Sequence, residues 1–136
     1  MGAPRLHDCV GALLVRDGRV LLGRRAQDRV WLPGAWDVFG GHIEAGETEE
    51  TALRRELQEE LGIVPLAPAW MATIGGELPE PWRLHVYLVT AWEGEPHNRQ
   101  EQEHCELRWC SLDEARERLG AAHPEFPRLL ARALAA

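Results

Sequence analysis

Lysine is absent from this chain: all fifteen cationic side chains are arginine. The bias reads mainly as genomic composition, although an arginine fork also fits phosphate in bidentate fashion. Cysteine is scarce and irregularly placed. Cys9, Cys105 and Cys110 have no CxxC spacing, which excludes a disulfide framework and argues against zinc. Free thiols in a reducing compartment are the expectation. No run of 18 apolar residues exists, and the N-terminus lacks a signal-peptide pattern. A cytoplasmic, soluble protein with no membrane partner is therefore expected. Positive charge is in deficit: the net charge of −7 argues against long nucleic acid or an anionic membrane as partner. An enzyme that meets phosphates through a bound cation can still be acidic overall. At 136 residues, without repeats or low-complexity tracts, the chain reads as one domain, 1–136, able to bury a core.

What is present in force is one stretch, residues 41–63, which reads as a Gly-rich loop followed by a helix. Thr48 is a plausible N-cap, with Glu49 and Glu50 in the first turn where the helix dipole favours anions. Gly62 suits the left-handed residue that stops the helix. Ala52, Leu53, Leu57 and Leu61 recur at helical spacing and give a core-facing stripe. Glu56, Glu59 and Glu60 then share one face, about a turn long. Like charges at that spacing repel by a few tenths of a kcal/mol. Only Arg54 and Arg55 lie near enough in sequence to relieve them locally, whereas a hard divalent cation would relieve them fully. A solvated acidic face explains three such glutamates as well as a cation site does.

The fixed positions of the whole stretch discriminate. They run Gly41, five residues, Glu47, seven residues, Arg55-Glu56, apolar Leu57, one residue, Glu59-Glu60, one residue, Gly62 and apolar Ile63. This resembles, at every fixed position, the Nudix box of the Nudix hydrolases. Gly23-Arg-Arg-Ala26, Trp92-Glu-Gly-Glu-Pro96 and Trp109-Cys-Ser-Leu112 resemble the MutT-like branch more weakly. Phe39 stands where family members usually have proline before the glycine pair.

The resemblance implies an α/β (α+β) domain, the Nudix fold, an α/β/α sandwich around a mixed β-sheet. It implies Mg2+, with Mn2+ as a possible substitute, held by Glu56, Glu59, Glu60 and the backbone carbonyl of Gly40. Arg55, in a pair with Glu47, would orient the carboxylates, and Arg25 would lie near the nucleotide. A further glutamate from a distant loop acts as ligand or base in some members. Counting back from Trp109 gives Glu103, and counting forward from Pro96 gives Glu101. Glu103 is favoured. The implied reaction is hydrolysis of a nucleoside diphosphate linked to another moiety, foremost a nucleoside triphosphate giving nucleoside monophosphate and pyrophosphate. ADP-ribose or a nucleotide sugar is the alternative substrate. A homodimer is a possible assembly, since dimers are frequent in the family. MutT-like enzymes selective for 8-oxo-dGTP use an asparagine in the C-terminal segment. Here the one asparagine is Asn98, in another segment, and His123 cannot offer the donor–acceptor pair of an amide. Trp31, Trp36 and Trp82 are candidates for stacking on a base.

Elsewhere, Val10–Val15 and Val20–Gly23 around Asp17-Gly18 read as a β-hairpin. Trp36–Phe39 reads as a strand entering a Gly40-Gly41 turn, with another short strand at His42–Glu44. Trp70–Ile74 and Arg83–Trp92 read as strands, the second apolar enough to be buried on both faces. His85 reads as a core or edge histidine, since no second histidine stands at metal spacing. Residues 93–104 read as a polar, mobile loop, and Glu106–Cys110 as a strand. Ser111 with Glu114 forms a capping box, and helices follow to about 120 and over about 127–134. Two other classes compete with hydrolysis. A nucleotide-sensing module on the same fold would ordinarily have lost box carboxylates, and all are present here. An isopentenyl diphosphate isomerase would need an activated cysteine, and nothing in the sequence marks Cys9 as one.

Overall fold

The computed structural model describes residues 6–28 and 33–135. Trp31 lies outside the described residues. Strand β1 (His7–Arg16) is the spine. Along it Val10, Ala12 and Leu14 belong to one apolar cluster and Leu13 to the other, so both faces of the strand are buried. β7 (Trp82–Val89) lies parallel to β1, from His7 opposite Trp82 to Leu14 opposite Val89, and divides in the same way. Val86 faces one cluster, Tyr87 and Val89 the other. The edge strand β6 (Ala69–Gly76) pairs antiparallel with β7.

β1 and β2 (Arg19–Arg25) form the expected hairpin, but only at its base. Their pairing is confined to Val15–Val20 and Arg16–Arg19. Asp17 and Gly18 both take positive φ, 53° and 72°, as a tight type I′ turn requires. Beyond the base the strands separate. β3 (Trp36–Asp37) continues the edge of β2, and β4 (Phe39–His42) continues the edge of β1. The expected single strand at Trp36–Phe39 is thus two strands that change partner at Val38. Gly40 and Gly41 lie inside β4 rather than in a turn, and His42 closes that strand instead of opening another. Gly40 must be glycine here: its φ is 152°, and a Cβ would run into the Val10 carbonyl of the neighbouring strand. β9 (His104–Cys110) pairs antiparallel with β2 and completes a seven-stranded mixed sheet.

Helix α1 (Glu49–Leu61) lies on one face. Thr48 caps it and Thr51 completes a reciprocal box, while Gly62 ends it at φ 71°. Ala52, Leu53, Leu57 and Leu61 are fully buried against Val10, Ala12, Leu14 and Phe39. Each such leucine stabilises the fold by about 1.5–3 kcal/mol through burial alone. Helices α2 (Leu112–Leu119) and α3 (Phe126–Leu134) cover the opposite face through Ala115, Leu119, Phe126, Leu129, Leu130 and Ala133. The architecture is the expected α/β/α arrangement on a mixed sheet. No described helix is long and apolar enough to cross a membrane.

Two further expectations change. The strand expected at Arg83–Trp92 stops at Val89, and Trp92–Glu93 (β8) pairs instead with Val64–Pro65 (β5) in a separate ribbon. The segment expected to be mobile is fastened to the C-terminal end of α1. There the carbonyls left over by the helix accept from the loop. His97 N donates to Leu61 O at 3.1 Å and Arg99 N to Glu60 O at 3.0 Å. The Arg99 guanidinium donates to Gln58 O at 2.9 Å. Asn98 in turn donates to His104 O at 2.8 Å, tying the loop to the start of β9.

Candidate active site

The helix offers its acidic face to the seam where β4 crosses β1. Arg55 organises the first part. Its Nε and one terminal nitrogen grip both oxygens of Glu47 at 2.8 and 2.9 Å. The other terminal nitrogen donates to Glu56 Oε1 at 2.9 Å, and a further bond reaches the His42 carbonyl at 3.0 Å. Glu47 also accepts from the Glu44 N–H at 2.8 Å. The Arg55 bonds, with that N–H second, hold the Glu47 carboxyl down at about 2. The same contacts raise Arg55 far above its ordinary range. The guanidinium therefore stays charged and the loop before α1 is tied to both the helix and the end of β4.

A turn further along α1 the balance reverses. Glu60 is buried at 6% exposure and its Oε2 accepts from the Gly40 N–H at 2.9 Å. Burial, and then the charges of Glu56 and Glu103, push its carboxyl up to about 9 against the pull of that N–H. Burial likewise pushes Glu56 up, with Arg55 opposing. Gly41 makes room for Glu56, since a Cβ there would sit 2.6 Å from Glu56 Oε1. Glu59 turns outward, its side chain half exposed, and touches Arg55 at 3.4 Å.

Glu103 and His104 arrive from the far side. The Ala26 N–H donates to Glu103 O at 2.9 Å, and His104 pairs with Arg25 across β2 and β9. Glu60, Glu103 and His104 each bring one donor atom within 4.8 Å of the others. Glu101 is exposed and outside this group. Arg25 lies at the end of β2, where its charge pulls on Asp37, whose carboxyl burial pushes up to about 6. Sequence reading missed His104 and Asp37. His104 had a usable signal, since it directly follows Glu103 where β9 begins, two residues earlier than expected. Asp37 gave none.

The donor set fits a divalent cation. Buried carboxylates that are costly to ionise beside one another become favourable once a cation stands between them. The remaining candidates are engaged elsewhere. Trp36 packs under the Arg118 guanidinium at 5.0 Å, and Trp82 meets the His123 ring edge-on at 5.7 Å. His85 is a buried core histidine between Asp8 at 2.8 Å and Thr73 at 2.9 Å. Burial pushes the Cys9 thiol up to about 11, the opposite of an activated nucleophile, so an isomerase reading has no support here.

Comparison with known proteins defines the family. A family model of the NUDIX domain matches residues 5–130. This chain belongs to the Nudix family and is a hydrolase of nucleotide phosphoanhydride bonds. It is 35% identical over 112 residues to the CTP pyrophosphohydrolase of Escherichia coli K12, covering 82% of this chain and 80% of that one. It is 36% identical over 99 residues to the 8-oxo-dGTP diphosphatase of the same organism, covering 72% and 76%. Its fold superposes on the MutT protein of Methanosarcina mazei Go1 with a TM-score of 0.81 at 26% identity, covering 97% and 96% of the two chains.

Proposed function

We propose that this enzyme hydrolyses nucleoside triphosphates to nucleoside monophosphate and pyrophosphate, using a divalent cation held by Glu56, Glu60 and Glu103. The observation that carries the reading is Glu60: a buried carboxylate facing two others, at the end of the helix that bears the box. Glu59, half exposed beside them, would be a further carboxylate ligand. The Gly40 carbonyl would add a backbone oxygen to the set. Such oxygens suit Mg2+ and Mn2+ alike. When bound, the cation neutralises phosphate oxygens and lowers the pKa of a nearby water.

The chain's own residues do the rest. Arg55 and Glu47 lock the loop so that Glu56 keeps its orientation. Arg25, at the end of β2, would pair with substrate phosphate as a planar fork. With Glu103 committed to the cation, a box glutamate would take the proton of the attacking water. The water oxygen bonds to phosphorus, the anhydride P–O bond breaks, and pyrophosphate departs. The substrate class follows the relatives named as acting on CTP and 8-oxo-dGTP.

The test is nucleoside monophosphate release, with pyrophosphate followed in parallel, over a panel of nucleoside triphosphates, oxidised ones included, with ADP-ribose and nucleotide sugars alongside. Wild type and Glu60→Gln are compared with and without Mg2+. Metal-dependent release from triphosphates that the variant loses is the expected result. Turnover confined to ADP-ribose or nucleotide sugars would overturn the triphosphate assignment, and none across the panel would return weight to a sensing module.

A further inference from the structure

The donor group at the heart of the site is not all oxygen. Glu60, Glu103 and His104 bring a carboxylate oxygen, a second carboxylate oxygen and an imidazole nitrogen within 4.8 Å of one another, and both Glu60 and His104 are buried. The ring is held by packing rather than left to swing. It tilts against Phe39, centroids 5.2 Å apart, and lies so close to Gly23 that a Cβ there would come within 2.8 Å of its Cδ2. Its backbone is clamped as well, through Asn98 at the carbonyl and Gln100 O at the N–H. A rigid imidazole beside two carboxylates is a mixed nitrogen–oxygen donor set. Carboxylate and water ligands suit Mg2+ and Mn2+ alike, whereas an added imidazole raises affinity for first-row ions, Mn2+ the least among them, and does little for Mg2+.

We propose that His104 ligates the active-site cation together with Glu60 and Glu103, and thereby makes the site discriminate for Mn2+ over Mg2+. The inference rests on the reading of this cluster as the divalent-cation site. It concerns which ion the site selects, and the histidine is the cause.

The experiment is carried out on the full chain, with Mn2+ as probe and no substrate present. Wild type, His104→Gln and Glu60→Gln are titrated with Mn2+ by electron paramagnetic resonance, and Mg2+ is used as competitor. Pulsed spectra of the wild-type Mn2+ complex read directly whether a nitrogen nucleus is coupled to the ion, and protein labelled with 15N-histidine assigns it. A histidine nitrogen coupling is expected in wild type, absent in His104→Gln, with Mn2+-over-Mg2+ discrimination falling about tenfold in that variant. The wild-type spectrum decides even if His104→Gln folds poorly. Mn2+ bound in a Glu60-dependent manner without nitrogen coupling overturns the proposal and leaves the carboxylate site standing. Mn2+ binding that Glu60→Gln does not weaken overturns both.

Discussion

Around Arg55 the chain cancels its own charge, and around Glu60 it sets carboxylate against carboxylate. The two clusters share one helix and lie about a turn apart. Arg55 satisfies both oxygens of Glu47, one of Glu56 and the His42 carbonyl, and its contacts hold Glu47 far on the acid side of its ordinary range. Glu60 has a single backbone N–H on its Oε2 and the charges of Glu56 and Glu103 nearby, which drive it the other way. A charge answered within the chain is a fastening, whereas buried like charges are stable only once something else arrives. Glu56 belongs to both clusters and joins the fastening to the ligand.

The strongest way to break this contrast is Glu60→Gln. We expect hydrolysis to fall by about 10²–10³-fold, the scale on which single preorganised electrostatic contacts act. Unfolding in urea without metal should show no loss of stability, because the substitution removes a carboxyl that must take up a proton to be buried there. Steady-state kinetics within threefold of wild type would falsify the assignment of this cluster as the ligand site.

Gly41→Ala probes the shared residue. The new Cβ meets the Glu56 carboxylate at 2.6 Å, so that side chain must move. Cation affinity by calorimetry should drop about tenfold or more, as it does when a ligand loses its support. Unchanged affinity would mean that Glu56 serves Arg55 alone.

Glu47→Gln sharpens the fastening through pH. Glu47 has a folded pKa of about 2 against an ordinary value of 4.5, so its contribution is full above 4.5 and fades as pH falls toward 2. The stability gap between wild type and variant, measured by urea titration, should be widest near neutrality and close in acid. A gap that does not change with pH contradicts the ion pair. Arg55→Lys should leave a gap of the same sign, since an ammonium cannot reproduce the fork.

Arg99→Ala is the smallest effect. It removes one bond to Gln58 O at the negative end of α1, whose last turn carries no basic residue of its own. We expect about 1 kcal/mol of lost stability and a several-fold weaker cation, transmitted through the loop that carries Glu103. A purely local loss, with cation affinity intact, would separate that loop from the site.

Much of this was legible in the chain. The N-cap at Thr48, the stop at Gly62 and the stripe from Ala52 to Leu61 each depend on residues within a few positions of one another, so local spacing suffices. The box pattern led to the family and to the face carrying Glu56 and Glu60. Spacing misread what depends on partners. Gly40 and Gly41 looked like a turn because glycine pairs usually bend a chain, yet here they let β4 press against β1 and Glu56. Residues 93–104 looked mobile because they are polar, yet the His97 and Arg99 N–H groups and the Arg99 guanidinium are spent on carbonyls at the end of α1. The strand from Arg83 looked continuous to Trp92 because nothing in its apolar run marks where β7 ends and the β5 ribbon begins.

By itself, then, the sequence determined the helix, its caps, its buried stripe and the acidic face, since each follows from side-chain periodicity and backbone preference along one element. Only the tertiary structure decided that Glu103 rather than Glu101 lies beside Glu60, and that His104 comes with it. That meeting depends on the register of β9 against β2 and on loop hydrogen bonds to a helix end far away in the chain. The reason is physical: a helix closes its bonds four residues apart, whereas a strand's neighbour, and therefore what its side chains face, is chosen by the whole sheet.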